Sequence, residues 1–365
     1  MCHLRSFSQN PSVRRRWVFQ NHGAAALRED EPPVVYLAAA DPEVAVAPFD
    51  DVEDEPAIEG LSLRRIAWRR LKRDRVAVVG GCVLLLIVLI AAFSSQLNQL
   101  YGQEPSAFHS SLTSRDTGIP FGSFGGISAR HWLGVEPTNG RDILARLIAG
   151  SRTSLVISGT ATLVSLLLGT VSGVIAAYYG GAVDALMTFL YDVLLTLPSL
   201  LLALALVSIL AQSPSFLGLS GESLSVALVI FILGFGGFPY LGRIVRGQVL
   251  SLRQKEFIEA ARSLGASDLR IISRELMPNL MGPLLVVTTL SIPNYILSES
   301  ALAYLGIGVR PPTSSWGGML SRAQDYYMAD PMYLFCPGAA LFVTVLAFNL
   351  FGDGLRDAFD PKSTP

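Results

Sequence analysis

The chain has 365 residues, of which 51% are hydrophobic and only 16% are charged, and its formal net charge is −1. This composition excludes an ordinary soluble domain and is typical of a polytopic, all-α membrane protein. The three cysteines, Cys2, Cys82 and Cys336, lie far apart in the sequence, so they indicate neither a disulfide framework nor a metal site.

Residues 1–60 differ from the rest of the chain. The stretch 41–59 is rich in Asp and Glu, contains three prolines and has no Lys or Arg. Such a stretch buries too little apolar surface to fold, so we expect a disordered cytoplasmic tail. The basic residues near the N-terminus are not followed by an apolar core, so they do not predict a signal peptide.

Residues 61–75 combine a cluster of Arg and Lys with Leu63, Ile66, Trp68 and Leu71. This pattern predicts a basic amphipathic helix on a membrane surface. Nucleic-acid binding is the alternative interpretation of a basic cluster. The apolar segment 76–97 follows directly and is long enough to cross a bilayer, so the membrane interpretation is favoured and the N-terminus is expected in the cytoplasm.

The region 76–352 contains six apolar segments that predict six transmembrane helices. They are residues 76–97, 154–178, 186–211, 224–241, 283–305 and 333–351. With the N-terminus inside, the loop 242–282 and the C-terminal tail 353–365 are both cytoplasmic. The loop 242–282 carries seven Lys or Arg residues and the loop 306–332 carries two, which agrees with this orientation.

The outer loop 98–150 contains two notable runs, His131-Trp132-Leu133-Gly134 and Gly140-Arg141-Asp142. Arg141 and Asp142 stand just before a predicted helix. They can cap that helix and pair with Arg146, which is a structural role. Alternatively, they contribute to a docking surface.

Residues 256–279 form the longest polar segment with helical character between apolar segments. Phe257, Ala260, Ala261 and Leu264 follow helical spacing and predict one apolar stripe. Gly265 is placed to end this helix, and Ser267 can cap a second one. The second helix would have an apolar side and end at Pro278; that side comprises Leu269, Ile271, Ile272 and Leu276. The pattern predicts two short helices that project from the membrane domain and fit into a groove of a partner protein. A solvated loop remains the simpler interpretation.

The sequence contains no phosphate-binding P-loop, which requires Gly-Lys followed by Ser or Thr. Its only lysines, Lys72, Lys255 and Lys362, follow Leu, Gln and Pro. No histidine lies in a metal-binding or nucleophile motif. We therefore expect a chain that is not an enzyme, binds no cofactor, and takes any energy of ATP from a separate subunit.

Asp192 and Glu299 lie within apolar segments, where an ionisable residue is costly unless it is paired or hydrated. They are candidates for a translocation path or for the proton relay of an ion-driven secondary transporter. A carboxylate that binds a neighbouring helix is the structural alternative. Pro198 and Pro239 would loosen their helices and are the other path candidates.

Three motifs carry a resemblance to a known family. Glu259-Ala260-Ala261 with Gly265 and Pro278-Asn279 resembles the EAA loop of bacterial ABC-importer permeases, although Glu275 stands where that family often has His. His131-Trp132-Leu133-Gly134 with Gly140-Arg141-Asp142 is similar to the C-type permease subunit of oligopeptide and dipeptide importers. The run from Ser298 to Trp316 resembles the same subunit, and the matches span roughly residues 61–360.

This resemblance implies a type I ABC-importer permease with six transmembrane helices in a bacterial inner membrane. It implies a second homologous permease subunit, two cytoplasmic ABC ATPases that bind the ATP, an extracytoplasmic binding protein and a peptide substrate. Nickel and other small-solute importers have similar permeases, so the cargo stays open. The residues expected to contact the ATPase are Phe257, Glu259, Ala260, Ala261, Leu264 and Gly265. Candidates for docking the binding protein, or for a structural lid, are Trp132, Arg141, Asp142, Arg310 and Trp316.

Overall fold

The computed structural model describes residues 63–210, 215–216 and 218–359. The predicted disordered tail, residues 1–60, lies outside these ranges. Within them the chain is almost entirely helical, and a two-residue antiparallel hairpin, β1 (Ser215–Phe216) with β2 (Leu219–Ser220), is the only sheet of the described part.

The N-terminal part forms three consecutive helices: α1 (Leu63–Arg73), α2 (Arg75–Ala92) and α3 (Ser94–Tyr101). Asp74 separates the first two, because its carboxylate accepts hydrogen bonds from the backbone N–H groups of Val76 and Ala77 and so caps α2. At its other end, α2 stops at Ala92, so the predicted helix 76–97 is interrupted at Phe93. Ala67 and Leu71 of α1 pack on Ala77 and Ala358, which holds this basic helix against the end of the chain's last helix.

Two long helices, α4 (Ile143–Tyr179) and α7 (Gly221–Arg253), form the centre of the fold. Their axes are about 55 and 50 Å long at 1.5 Å per residue, which exceeds the ~30 Å of bilayer hydrocarbon. Both therefore extend beyond the predicted segments 154–178 and 224–241.

The predicted third segment, 186–211, is not one straight helix. It consists of α5 (Gly181–Thr196) and α6 (Ser199–Leu210), and the chain bends by 82° between them. The bend occurs at Leu197 and Pro198, where proline supplies no backbone N–H to continue the helical hydrogen bonds.

The C-terminal half begins with the short helix α8 (Glu256–Ser263). A continuous helical segment follows: α9 (Asp268–Arg270), a π-helical turn (Ile271–Leu276) and α10 (Met277–Tyr304). Pro278 lies two residues after the π-helical turn, and the helix continues through it to Tyr304. The prediction that Pro278 ends a helix is therefore wrong.

The last two helices are α11 (Trp316–Ala323) and α12 (Pro331–Phe359). Helix α12 continues to Phe359. Residues 353–359 of the predicted tail 353–365 are therefore helical. In the described part of the chain, five helical segments are long and apolar enough to cross a membrane, and six if α5 and α6 count as one broken segment. The chain is an all-α polytopic membrane protein.

Glycines allow α4 and α7 to pack closely. A methyl group added to Gly173 would lie 2.6 Å from the carbonyl oxygen of Gly242, and one added to Gly169 would lie 2.8 Å from Cβ of Leu241. Both distances are shorter than a carbon atom allows, so only glycine fits there. Such close approach of helix backbones is how membrane helices gain van der Waals contact without a hydrophobic driving force.

Candidate functional site

Residues 256–279, called the EAA segment below, are attached to the helical body by three isoleucine and leucine side chains. Ile258, Ile271 and Leu276 are fully buried. They share one apolar cluster with residues at the ends of α4 and α7, namely Val174, Ala177, Val245 and Val249. This contact fixes which faces of α8 and of the following helical segment turn inward.

Two polar contacts hold the same region in place. The Tyr178 hydroxyl donates a hydrogen bond of 2.8 Å to Oδ1 of Asp268. Nη1 of Arg253 donates to the carbonyl oxygen of Ala177 at 3.1 Å. The first contact joins the EAA segment to the end of α4, and the second joins the last residue of α7 to the same end.

Gly265 makes the turn between the two parts of the EAA segment. Its φ angle is +74°, in the left-handed region that glycine adopts without strain. The N–H of Ala266 donates to the carbonyl oxygen of Ala261 at 3.1 Å. This arrangement ends α8 as the sequence predicts for a glycine directly after a helix.

The apolar side chains on the outer surface of the EAA segment are unusually exposed. Leu264 is 88% exposed, Leu269 is 76% exposed and Phe257 is 38% exposed. Ala260 and Glu259 are exposed beside them, and Ala261 is half-buried. The predicted stripe is thus mainly an outward surface, and Ile258, which sequence reasoning missed, is the inward anchor. On the predicted apolar side of the second helix, Ile271 and Leu276 are buried, whereas Leu269 is exposed.

Two of the four candidates for a translocation path lie at the surface of the chain. Asp192 on α5 forms an ion pair with Arg243 on α7, and both side chains are about half-exposed. Pro198 is exposed at the bend between α5 and α6.

The other two path candidates are interior residues. Glu299 is completely buried, and its Oε2 lies 3.5 Å from the hydroxyl oxygen of Ser154 on α4. Pro239 is buried in α7. Neither lines an open surface, because both are covered by neighbouring helices. The structural alternative for Glu299, a carboxylate bound to a neighbouring helix, describes its position.

Asp142 is the N-cap of α4, as the sequence predicts. Its Oδ1 accepts a hydrogen bond of 2.7 Å from the N–H of Ala145. Its Oδ2 lies 2.8 Å from Nδ1 of His131 and accepts a hydrogen bond of 3.0 Å from the Tyr101 hydroxyl. Burial raises the pKa of Tyr101 to about 12, so this phenol keeps its proton and its bond to Asp142.

Arg146 does not pair with Asp142, contrary to the prediction. It pairs with Glu136 at 3.2 Å, and Glu136 also binds Arg141 and accepts a hydrogen bond of 3.1 Å from the Tyr333 hydroxyl. Glu136 is almost completely buried, as are the two arginines. One carboxylate therefore joins the outer loop to α4 and α12. Sequence reasoning missed it, because the contact to Tyr333 spans most of the chain.

Three of the five candidates for docking a binding protein are interior residues. Arg141, Asp142 and Trp316 are buried, and Nε1 of Trp316 donates to the carbonyl oxygen of Leu147 at 3.0 Å. Buried side chains offer no open surface to a binding protein, so the docking prediction is corrected for these three. Trp132 and Arg310 are exposed and remain candidates.

Two family models match parts of the chain. The model of the family "binding-protein-dependent transport system inner membrane component" matches residues 169–365. The model of the N-terminal transmembrane domain of oligopeptide transport permease C matches residues 62–110.

Several curated relatives cover most of the chain. The dipeptide transport system permease protein DppC of Alkalihalophilus pseudofirmus is 37% identical, over 82% of this chain and 90% of its own length. The glutathione transport system permease protein GsiD of Pectobacterium atrosepticum is 38% identical, over 84% of this chain and 95% of its own.

One solved structure, the MetNI methionine ABC transporter in an inward-facing conformation, aligns with 60% of this chain at 17% identity, with a TM-score of 0.48. The family models match α2, the end of α4 and the helices from α5 onward, with the EAA segment among them. The chain therefore belongs to the family of inner membrane components of binding-protein-dependent transport systems, and within it to the permeases of peptide ABC importers.

Proposed function

We propose that this chain is the transmembrane subunit of an ATP-driven importer for oligopeptides or dipeptides. It forms half of the translocation path together with a second homologous permease in a bacterial inner membrane. Two cytoplasmic ABC ATPases bind and hydrolyse the ATP, and an extracytoplasmic binding protein delivers the peptide. The names of the DppC and GsiD relatives support a peptide cargo; nickel or another small solute is the alternative cargo.

The observation that carries this proposal is the surface of the EAA segment. Leu264 and Leu269 are largely exposed on a segment that is anchored to α4 and α7 by its other face. Exposed leucines on a rigid knob are what a docking site for another protein requires. The residues proposed to contact the ATPase are Phe257, Glu259, Ala260, Ala261, Leu264 and Gly265.

The proposed mechanism is alternating access. ATP closes the ATPase dimer, which displaces the EAA segment, and α4 and α7 transmit the displacement to the path. Energy passes only if the segment makes different contacts in the two states. An ion-gradient mechanism is less well supported, because Glu299 is buried against Ser154 and Asp192 is already paired with Arg243.

The decisive test is reconstitution with and without the partners. The chain is co-expressed with the second permease, the ATPases and the binding protein of its host, and the complex is placed in proteoliposomes. We expect uptake of a radiolabelled dipeptide that requires both ATP and the binding protein. Uphill uptake by the chain without any ATPase, driven by a proton or sodium gradient, would contradict the proposal.

Two substitutions test the coupling role of the EAA segment in the same preparation. Gly265→Pro is incompatible with a φ of +74°, and Ala261→Glu places a charge beside the buried Ile258. We expect both variants to insert into the membrane but to lose uptake while the ATPases continue to hydrolyse ATP. Normal peptide uptake by either variant would show that the coupling assignment is wrong.

A further inference from the structure

One side of α1 is turned away from the helical body and carries positive charge. Ala67 and Leu71 are buried and pack on α2 and α12 through Ala77 and Ala358. The side chains opposite them follow from the helical period, since successive residues are about 100° apart. They are one tryptophan and three cations, all exposed: Trp68, Arg69, Lys72 and Arg73. We call these four residues the basic face.

The cations of the basic face are not neutralised by the part of the chain that the structure describes. Within that part, none of Arg69, Lys72 and Arg73 forms an ion pair with a carboxylate. The Lys72 ammonium instead lies 5.1 Å from the ring centroid of Trp68, which is 58% exposed. Like charges three and four residues apart on a helix repel one another, so an anionic partner would stabilise this face.

The basic face lies next to the boundary of the bilayer. Helix α2 begins at Arg75 and has 18 residues, the fewest of the five segments long enough to cross a membrane in the described chain. Its length is about 27 Å at 1.5 Å per residue, close to the ~30 Å of bilayer hydrocarbon. Arg75 therefore lies at the edge of the hydrocarbon, and the basic face precedes it directly in the chain.

An apolar surface continues from the basic face onto α2. Val76 and Val79, in the first turns of α2, are 55% and 60% exposed. Cations followed at once by exposed aliphatic side chains match the two parts of a phospholipid, an anionic phosphate and its apolar chains. Clusters of Lys and Arg immediately beside a membrane helix attract anionic lipids in this way.

We propose that the basic face binds the phosphate group of an anionic phospholipid whose chains lie along Val76 and Val79. The guanidinium groups of Arg69 and Arg73 donate paired hydrogen bonds to the phosphate oxygens, and the Lys72 ammonium adds a point charge. Trp68 lies at the level of the headgroups, where tryptophan is enriched in membrane proteins. The site is independent of the transported cargo.

The site is tested by binding of fluorescent phosphatidylglycerol to the full-length chain in a non-ionic detergent. Low ionic strength is used, because salt screens contacts between exposed charges. The α1 variant carries Arg69→Gln, Lys72→Gln and Arg73→Gln together. We expect it to bind the lipid at least tenfold more weakly, since each cation near an anionic lipid strengthens binding severalfold. Unchanged binding by the α1 variant would overturn the proposal.

A matched control removes the same number of positive charges elsewhere. It carries three substitutions at exposed arginines of the outer loop and of α4: Arg115→Gln, Arg130→Gln and Arg152→Gln. We expect its affinity for phosphatidylglycerol to stay within twofold of that of the unsubstituted chain. Equal weakening in the control and in the α1 variant would show a general effect of net charge, which also overturns the proposal.

Three further measurements separate an anionic phospholipid from other occupants of the basic face. Phosphatidylcholine with the same chains should bind at least tenfold more weakly, and equal binding would mean that only the chains are recognised. Inorganic phosphate should not displace phosphatidylglycerol more than sodium chloride of equal ionic strength does; displacement would assign the face to free phosphate. Replacing each Asp and Glu of the acidic stretch 41–59 by its amide should change the affinity less than twofold. A tenfold gain would show that this stretch covers the face instead.

Discussion

At the scale of single residues, Ile258 determines the orientation of α8. Its complete burial turns the opposite side of the short helix outward, together with Leu264 just beyond its end. Leu264 is 88% exposed and therefore contributes little to the stability of its own chain. We expect it to bury its side chain against a partner protein instead. Burying one such side chain in a partner's groove contributes about 1.5–3 kcal/mol.

Leu264→Glu should therefore weaken binding of the ATPase subunits. We expect at least a tenfold loss of peptide uptake and a reduced amount of ATPase co-purifying with the permease. The matched control is Leu100→Glu. Leu100 is similarly exposed, but it lies on α3 and not in the EAA segment. Equal ATPase recovery from both variants would argue against the assigned docking surface.

Glu136 stabilises the packing of the outer loop against the helices. It neutralises Arg141 and Arg146, both of which are buried. Removing one partner of a buried ion pair typically costs about 3–5 kcal/mol. Glu136→Gln should lower the melting temperature of the purified protein markedly, whereas Glu104→Gln, at an exposed position, should not. Thermal unfolding followed by circular dichroism distinguishes the two, and identical curves would contradict this role.

At the scale of elements, α4 and α7 behave as one unit because glycines bring their backbones together. Ser165 adds a polar contact, since its hydroxyl donates to the carbonyl oxygen of Gly234 at 2.5 Å. The same helices carry the EAA segment at one end and the capped start of α4, with Asp142, at the other. A tightly packed pair of this kind is suited to transmit a displacement rather than to absorb it.

Gly173→Ala tests this packing with a single added methyl group. The methyl would lie 2.6 Å from a backbone carbonyl oxygen of α7, so the helices must separate. Overpacking of this kind costs about 1–3 kcal/mol. Gly159→Ala in the same helix is the control, because nothing lies within 4 Å of its added methyl. We expect a lower unfolding temperature for Gly173→Ala alone, and equal unfolding temperatures would exclude tight packing at this point.

At the scale of the whole molecule, the helix order places the EAA segment and the outer loop at opposite ends of α4. The start of α4 meets the outer loop and its end meets the EAA segment. The excess of basic residues in the loop 242–282 predicts that the EAA end faces the cytoplasm.

This orientation can be tested with two single cysteines in a chain whose native cysteines are replaced by Ser. Ser110→Cys lies in the outer loop and Ser263→Cys in α8, and both positions are exposed. An impermeant thiol reagent should label only Ser110→Cys in intact cells and only Ser263→Cys in inside-out vesicles. The reverse pattern would invert the assigned topology.

The sequence by itself determined the class of protein, the approximate positions of the membrane segments, the EAA segment and the turn at Gly265. These features depend on local composition and spacing, because a bilayer requires about 20 apolar residues and a left-handed turn favours glycine. The tertiary structure alone decided that Arg146 pairs with Glu136, that Arg141 and Trp316 are buried, that α5 and α6 are bent apart, and that Asp192 meets Arg243. Burial and ion pairing are set by which helices become neighbours, and residues as distant in sequence as Glu136 and Tyr333 leave no local pattern that reveals their contact.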